Sequence, residues 1–167
     1  PMLVGVPGVG KSAIVTGLAH SIESGNCPEA LKGRTIYSID LLRIVAGTRF
    51  RGDFEERIEA VLDFFISNEK AILFIDEFHS AVGLGSSSGS GDLVNFIKPY
   101  LATNQIKCIA ATTTDEYEEY VATDKALLRR FSIVPVAELE GDALISLLMR
   151  VKCKYEEHHK ITYSDEL

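Results

Sequence analysis

The chain has 167 residues, 46% hydrophobic and 25% charged, with 17 Lys and Arg against 24 Asp and Glu and a formal net charge of −7. That is the composition of an average globular domain, at a length that buries roughly two-thirds of its surface on folding, so disordered and fibrous architectures are excluded. No apolar run approaches the roughly 18 residues of a membrane span, and no basic run longer than a pair offers a track for nucleic acid, so neither membrane nor nucleic acid is an expected partner. Cys27, Cys108 and Cys153 are widely separated and lack the CxxC spacing of a zinc site or disulfide framework. They fit a reducing interior, and a cytoplasmic location is expected.

Short apolar or β-branched runs alternate with longer stretches of helical period, the pattern of an α/β domain with a parallel sheet. Strands are predicted at 2–4, 35–39, 71–75, 106–112 and 132–136, and helices at 11–24, 53–67, 92–103, 115–123 and 140–158. In the second helix Phe54, Ile58, Val61, Leu62 and Phe65 recur at three- and four-residue steps, while Glu55, Glu56, Arg57 and Glu59 fall on the opposite side. The stripe belongs to the core. Residues 83–91, all glycine and serine except Leu84, have nothing to bury and are expected to form a flexible loop. The sequence opens on a strand at Pro1 and closes just after a long helix, so it is expected to be a piece of a longer chain.

Gly5-Val-Pro-Gly-Val-Gly-Lys-Ser12 fits G-x-x-x-x-G-K-[ST] and lies between a strand and a helix, as the mechanism of a phosphate loop requires. Glycines let successive backbone N–H groups face phosphate oxygens, Lys11 reaches the outer phosphates, and the Ser12 hydroxyl suits magnesium. Further on, Ala71-Ile-Leu-Phe-Ile-Asp76-Glu77 is an apolar strand ending in two carboxylates. Without the loop these would pass for turn formers. With it, Asp76 is expected beside the magnesium and Glu77 beside the water that attacks the γ-phosphate. The fourth strand ends at Thr112-Thr113-Thr114, where a hydroxyl can orient that water or sense the γ-phosphate, although threonines also pack well in strands. Arg129-Arg130 is either a solvated pair or a finger reaching a phosphate in a neighbouring subunit.

These segments, with Phe74-Ile-Asp-Glu-Phe-His79, Ala46-Gly-Thr-Arg-Phe-Arg-Gly-Asp-Phe-Glu-Glu-Arg57, Asn95-Phe-Ile-Lys-Pro99, Ala111-Thr-Thr and Leu127-Leu-Arg-Arg-Phe131, resemble the first AAA+ nucleotide-binding domain of a Clp-type protein unfoldase over almost the whole chain. Residues 35–40 and 154–159 lean toward the ClpA subtype, which feeds a barrel protease, over the disaggregase ClpB. The resemblance implies a P-loop AAA+ large subdomain over 1–138, with a five-stranded parallel sheet flanked by helices, and the incomplete start of a small helical subdomain over 139–167. It implies ATP and Mg2+ as ligands, and a homo-hexamer that threads protein substrates through a central pore, with a barrel peptidase and adaptors as partners.

Residue by residue, the resemblance assigns nucleotide binding to Gly5, Val6, Pro7, Gly8, Val9, Gly10, Lys11, Ser12 and Asp76, with Ser12 and Asp76 also on magnesium. Glu77 becomes the hydrolytic base, Thr113 the first sensor with Thr112 as alternative, and Arg129 and Arg130 fingers acting in trans. Arg49, Phe50, Arg51 and Gly52 become the substrate pore loop, Phe50 standing where the family usually has Tyr. Leu128 departs from the small or acidic residue common before the arginines, and the Ser/Gly loop enters Asp92-Leu-Val-Asn95 without an acidic-alanine stretch. The 167 residues alone are expected to fold, stay mostly monomeric, and bind and hydrolyse ATP weakly. Three other classes compete. Asp76-Glu-Phe-His79 also fits a helicase DExH box, but a helicase needs a second motor lobe and a basic track. A small-molecule kinase needs a lid and a second pocket; a mainly structural assembly module that binds ATP to hold a ring together and hydrolyses it slowly stays as an alternative, although Glu77 argues against a purely structural site.

Overall fold

In the computed structural model, which describes residues 1–45, 51–83 and 93–164, all five predicted strands form within one residue of their expected bounds. β1 (Met2–Val4), β2 (Thr35–Ile39), β3 (Ala71–Ile75), β4 (Lys107–Thr112) and β5 (Ile133–Pro135) make one parallel sheet in the order β2-β3-β4-β1-β5. β3 lies inside the sheet with both faces covered, which is why all five of its residues are apolar and all five are buried. Side chains alternate across the sheet: Met2, Val4, Leu73, Ile75 and Ala110 join one core, and Leu3, Ile72, Phe74, Ile109 and Ala111 join the other.

The first core is closed by α3 (Arg51–Ser67) and α5 (Leu93–Ala102). From α3 come Phe54, Ile58, Leu62 and Phe65, none more than 3% exposed, with Val61 half-buried beside them; Glu56, Arg57 and Glu59 face solvent. Each buried side chain of this kind contributes about 1.5–3 kcal/mol, which is what selects the three- and four-residue spacing. The second core is smaller and is covered by α1 (Lys11–Glu23) through Val15 and Leu18.

Among the described residues two α-helices were not expected, α2 (Leu41–Val45) and α4 (His79–Gly83), nor was the 3-10 turn at Glu29–Leu31. At five residues each helix is too short to show a period. The predicted helix at 115–123 is two pieces: α6 (Thr114–Glu116) runs into a π turn at Tyr117–Val121, where Ala122 N donates to Tyr117 O at 2.7 Å. α7 (Lys125–Leu128) follows, capped by Asp124. Of the expected glycine-serine loop, Gly83 ends α4 and 84–91 fall outside the described residues.

The chain divides into two compact units, Pro1–Val136 and Ala137–Leu167. The second is built on α8 (Gly141–His159), none of whose residues is buried. Lys160 closes α8 in the left-handed region (φ 54°), and Glu156 accepts the amide of Tyr163 at 2.8 Å. Among the described residues no helix is long and apolar enough to cross a membrane.

Candidate nucleotide site

The loop after β1 is built to leave amides open. Gly8 (φ 80°) and Gly10 (φ 101°) take a backbone conformation that a side chain would strain, and Gly10 caps α1 with no side chain of its own. Among the described residues no acceptor meets the N–H groups of Gly8, Gly10, Lys11, Ser12 and Ala13, while Val9 and Ile14 donate to Val6 O and Gly10 O. A row of free amides at the positive end of a 13-residue helix is a cradle for anionic oxygens. The Lys11 ammonium rests on the carbonyls of Gly5 and Val6 at 2.8 and 3.0 Å. Gly5 has another reason to lack a side chain: an added Cβ would stand 2.3 Å from the Val136 carbonyl oxygen.

β3 delivers its carboxylates to the same place. β4 lies between β1 and β3, and the register sets Val4 level with Thr112 and Ile75 level with Ala110, so three strand ends converge. Ser12 Oγ donates to Asp76 Oδ2 at 2.5 Å, across 64 residues of sequence, and Asp76 Oδ1 accepts the Glu77 amide at 3.0 Å. Glu77 itself has φ 48°, a left-handed conformation costing a non-glycine residue roughly 1–2 kcal/mol. The next residue holds it there. Phe78 is fully buried against Phe131 with ring centroids 5.3 Å apart, and its amide donates to Ala111 O at 2.8 Å. The strained turn thus drives Phe78 into the core and leaves the Glu77 side chain exposed, with no donor holding it among the described residues.

Opposite stands a network on β4 and α6. Thr113 and Glu116 form a capping box: Glu116 Oε2 accepts from Thr113 Oγ1 at 2.6 Å and from the Thr113 amide at 3.2 Å, and the Glu116 amide donates back to Thr113 Oγ1 at 3.3 Å. His79 Nδ1 lies 2.8 Å from the same Glu116 oxygen and 3.4 Å from the hydroxyl of buried Thr112. Burial opposes charge on Glu116, but the two Thr113 bonds and the nearby His79 and Lys11 outweigh it and hold its pKa below the ordinary value. An ionised oxygen at that distance requires the proton on Nδ1 of His79, so the imidazole donates to Glu116. Glu116 was not among the residues singled out from sequence; the Thr113-x-x-Glu116 spacing was the available signal.

These walls enclose a cavity of about 280 Å³ lined by Pro7, Gly8, Gly10, Lys11, Ser12, Ala13, Asp76, Glu77, Thr112, Thr113 and Glu116. Val6 and Val9 belong to the loop but not to its lining. The donor set at Ser12 and Asp76, one hydroxyl and one carboxylate, fits Mg2+, which keeps several waters and shares phosphate oxygens. Among the described residues no group of three or more His, Cys, Asp and Glu side chains offers an all-protein cage. Arg129 and Arg130 do not line this cavity; they border an open concavity with Ala102, Lys125 and Ala126. Arg130 Nη1 donates to Ala126 O at 2.6 Å, and Arg129 is exposed. Of the expected pore loop, Arg49 and Phe50 lie outside the described residues, as does the Arg51 side chain, and Gly52 is in the first turn of α3.

Fold and cavity together define a P-loop nucleotide-binding domain. The chain belongs to the AAA family, ATPases associated with various cellular activities, whose family model matches residues 1–138. Its relatives within that family are of the Clp type. It is 46% identical over 166 residues to the chloroplastic chaperone protein ClpC3 of Oryza sativa subsp. japonica, a match covering 99% of this chain and 18% of that protein. With the chaperone protein ClpB of Bacteroides thetaiotaomicron it shares 47% over 167 residues, 99% of this chain and 19% of the relative. Among solved structures it superposes on Hsp104 with ATPγS and FITC-casein in the closed state, at a TM-score of 0.88 and 39% identity over 99% of this chain and 28% of that one. The chain thus spans about a fifth of the length of the curated relatives it matches.

Proposed function

We propose that this chain is the ATP-binding and ATP-hydrolysing module of a Clp-type unfoldase that works as a homo-hexamer, threads protein substrates through a central pore and serves a barrel peptidase with its adaptors. The observation that carries the reading is the 2.5 Å bond from Ser12 to Asp76, which brings the phosphate loop and the β3 carboxylates to one cavity. In the proposed roles the free amides of Gly8 and Gly10 to Ala13 bind the phosphate oxygens, and Lys11 turns from its own loop carbonyls to the outer phosphates. Magnesium at Ser12 and Asp76 supplies positive charge to those oxygens when bound. Glu77 takes a proton from the attacking water, Thr113 orients that water, and Arg129 and Arg130 of a neighbouring subunit meet the charge that develops on the leaving phosphates.

Residues 139–167 are proposed as the start of a small helical subdomain. Arg49, Phe50, Arg51 and Gly52 are proposed as the pore loop, where an apolar ring grips a chain without sequence preference. Three cysteines without a pairing pattern favour a reducing, cytoplasm-like compartment. A ClpB-type disaggregase is the second reading; the identities of 47% to ClpB and 46% to ClpC3 do not favour it over the first. The test is Glu77→Gln in the complete protein: ATP binding is retained, hydrolysis by this module falls about a hundredfold, and unfolding of a tagged substrate driven by this module falls with it. Undiminished hydrolysis would remove Glu77 from the role of base.

A further inference from the structure

A hydroxyl has one hydrogen to donate and two lone pairs to accept with. At Thr113 the hydrogen goes to Glu116 Oε2 at 2.6 Å and one lone pair receives the Glu116 amide at 3.3 Å. What Thr113 has left toward the cavity it lines is a single lone pair. While Glu116 accepts the hydroxyl hydrogen, Thr113 cannot donate to a phosphate oxygen; it can only accept. A capping box alone accounts for the contacts between Thr113 and Glu116. It does not account for His79, which reaches the same oxygen at 2.8 Å from a different element, nor for the place of both residues in the wall of the nucleotide cavity.

We propose that Glu116 is a positioning residue that fixes the Thr113 hydroxyl as a hydrogen-bond acceptor for the attacking water, with His79 bracing the carboxylate. The inference rests on the hydrolytic reading of the site. A water that gives one hydrogen to Glu77 and the other to Thr113 keeps a lone pair directed at phosphorus, and the geometry is set before the water arrives. Without Glu116 the Thr113 hydroxyl rotates and offers its own hydrogen to the water or to phosphate, so the water is held in the wrong sense for part of the time. Three donors on one carboxylate oxygen, from Thr113 Oγ1, Thr113 N and His79 Nδ1, also keep that oxygen from drifting to Lys11.

The experiment compares steady-state ATP hydrolysis by the complete protein in five forms: unaltered, Glu116→Ala, Glu116→Gln, Thr113→Val, and Glu116→Ala with Thr113→Val, any other ATPase module being silenced. Expected is a loss of roughly tenfold in kcat for Glu116→Ala with KM for ATP changed by less than about twofold, since the water is affected and nucleotide binding is not. Glu116→Gln, whose amide oxygen still accepts from Thr113, recovers to within about threefold of the unaltered protein. In the Thr113→Val background the Glu116→Ala change has no further effect, because the hydroxyl it positions is gone. If Glu116→Ala does not melt cooperatively, Glu116→Met keeps the bulk without the acceptor and takes its place. An equal loss from Glu116→Ala with and without the Thr113 hydroxyl, or an unchanged kcat, overturns the inference. Hydrolysis surviving Glu77→Gln undiminished overturns the hydrolytic reading instead, so the two failures are distinguishable.

Discussion

Among the described residues, the side chains of Lys11, Ser12, Asp76, Thr113 and Glu116 at the carboxyl ends of β1, β3 and β4 are partnered within the chain and of the carboxylates there only Glu77 is left open, whereas at the end of α7 Arg129 has no partner and Arg130 holds only a carbonyl of its own helix. The difference is one of geometry. Strand ends in a parallel sheet are fixed by their neighbours, so Ser12 meets Asp76 and Thr113 meets Glu116 without help, while Lys11 rests on the carbonyls of its own loop. α7 is a single turn, and its orientation is set from beside it: Asp124 caps Ala126 and Leu127 and takes the Lys98 ammonium of α5 at 2.6 Å. Lys11, Ser12, Asp76, Glu77 and Thr113 line one cavity, which Arg129 and Arg130 do not line; on the proposed function the inward, phosphate half of the machinery serves its own chain and the outward, arginine half serves a neighbouring one.

If that contrast is right, the largest effect comes from the outward half. Arg129→Ala with Arg130→Ala should lower hydrolysis in the assembled protein by about a thousandfold, the scale of an arginine finger, while the melting temperature of this domain stays put. A matching loss of stability would make the arginines structural. Of intermediate size is a change at the inward half: Gly5→Ala forces a Cβ against the Val136 carbonyl at 2.3 Å. It should destabilise the Pro1–Val136 unit by about 1–3 kcal/mol in urea unfolding, and an unchanged midpoint would mean that the strand ends are looser than the contrast requires.

The smallest effect is a pH dependence. Glu116 has its pKa lowered in the fold, so on acidification the unfolded chain takes up its proton first, near the ordinary glutamate value of about 4.3. The stabilisation is therefore full above that value and is lost as pH falls through the lower folded one. Asp124, where burial is outweighed by Lys98 and by the amides of Leu127 and Ala126, acts in the same direction. Stability of Glu116→Gln should fall less steeply than that of the unaltered chain below about pH 4; parallel curves would deny Glu116 its charge.

The sheet was legible because β3 is a continuous apolar run, because β4 carries Cys108 to Ala111 as another, and because a phosphate loop requires a strand before it and a helix after it. Lys11, Ser12, Asp76 and Glu77 could be named for the same reason, as residue types at fixed offsets from strand ends. Local hydrogen bonding was less visible. The break of 115–123 into α6 and a π turn follows from the Thr113–Glu116 box and the burial of Val121, and no periodicity encodes it. Glu116 looked like one acid among several, and His79 only gained a role once α4 set it beside Glu116. The left-handed turn at Glu77 was not legible either, since it is imposed by Phe78 entering the core.

The division into an inward and an outward half is tested most directly by mixing subunits. Rings carrying only Glu77→Gln lack the proposed base, and rings carrying only the double Arg129→Ala, Arg130→Ala change lack the finger, so each is expected to hydrolyse ATP at no more than about a hundredth of the normal rate. In mixed rings an arginine-deficient subunit with an intact Glu77 can sit beside a neighbour whose arginines are intact. ATP turnover of the mixture is therefore expected to rise well above that of either parent, with a maximum near equal proportions. A mixture that never exceeds the more active parent would contradict the account, because it would mean that Arg129 and Arg130 act only on the cavity of their own chain.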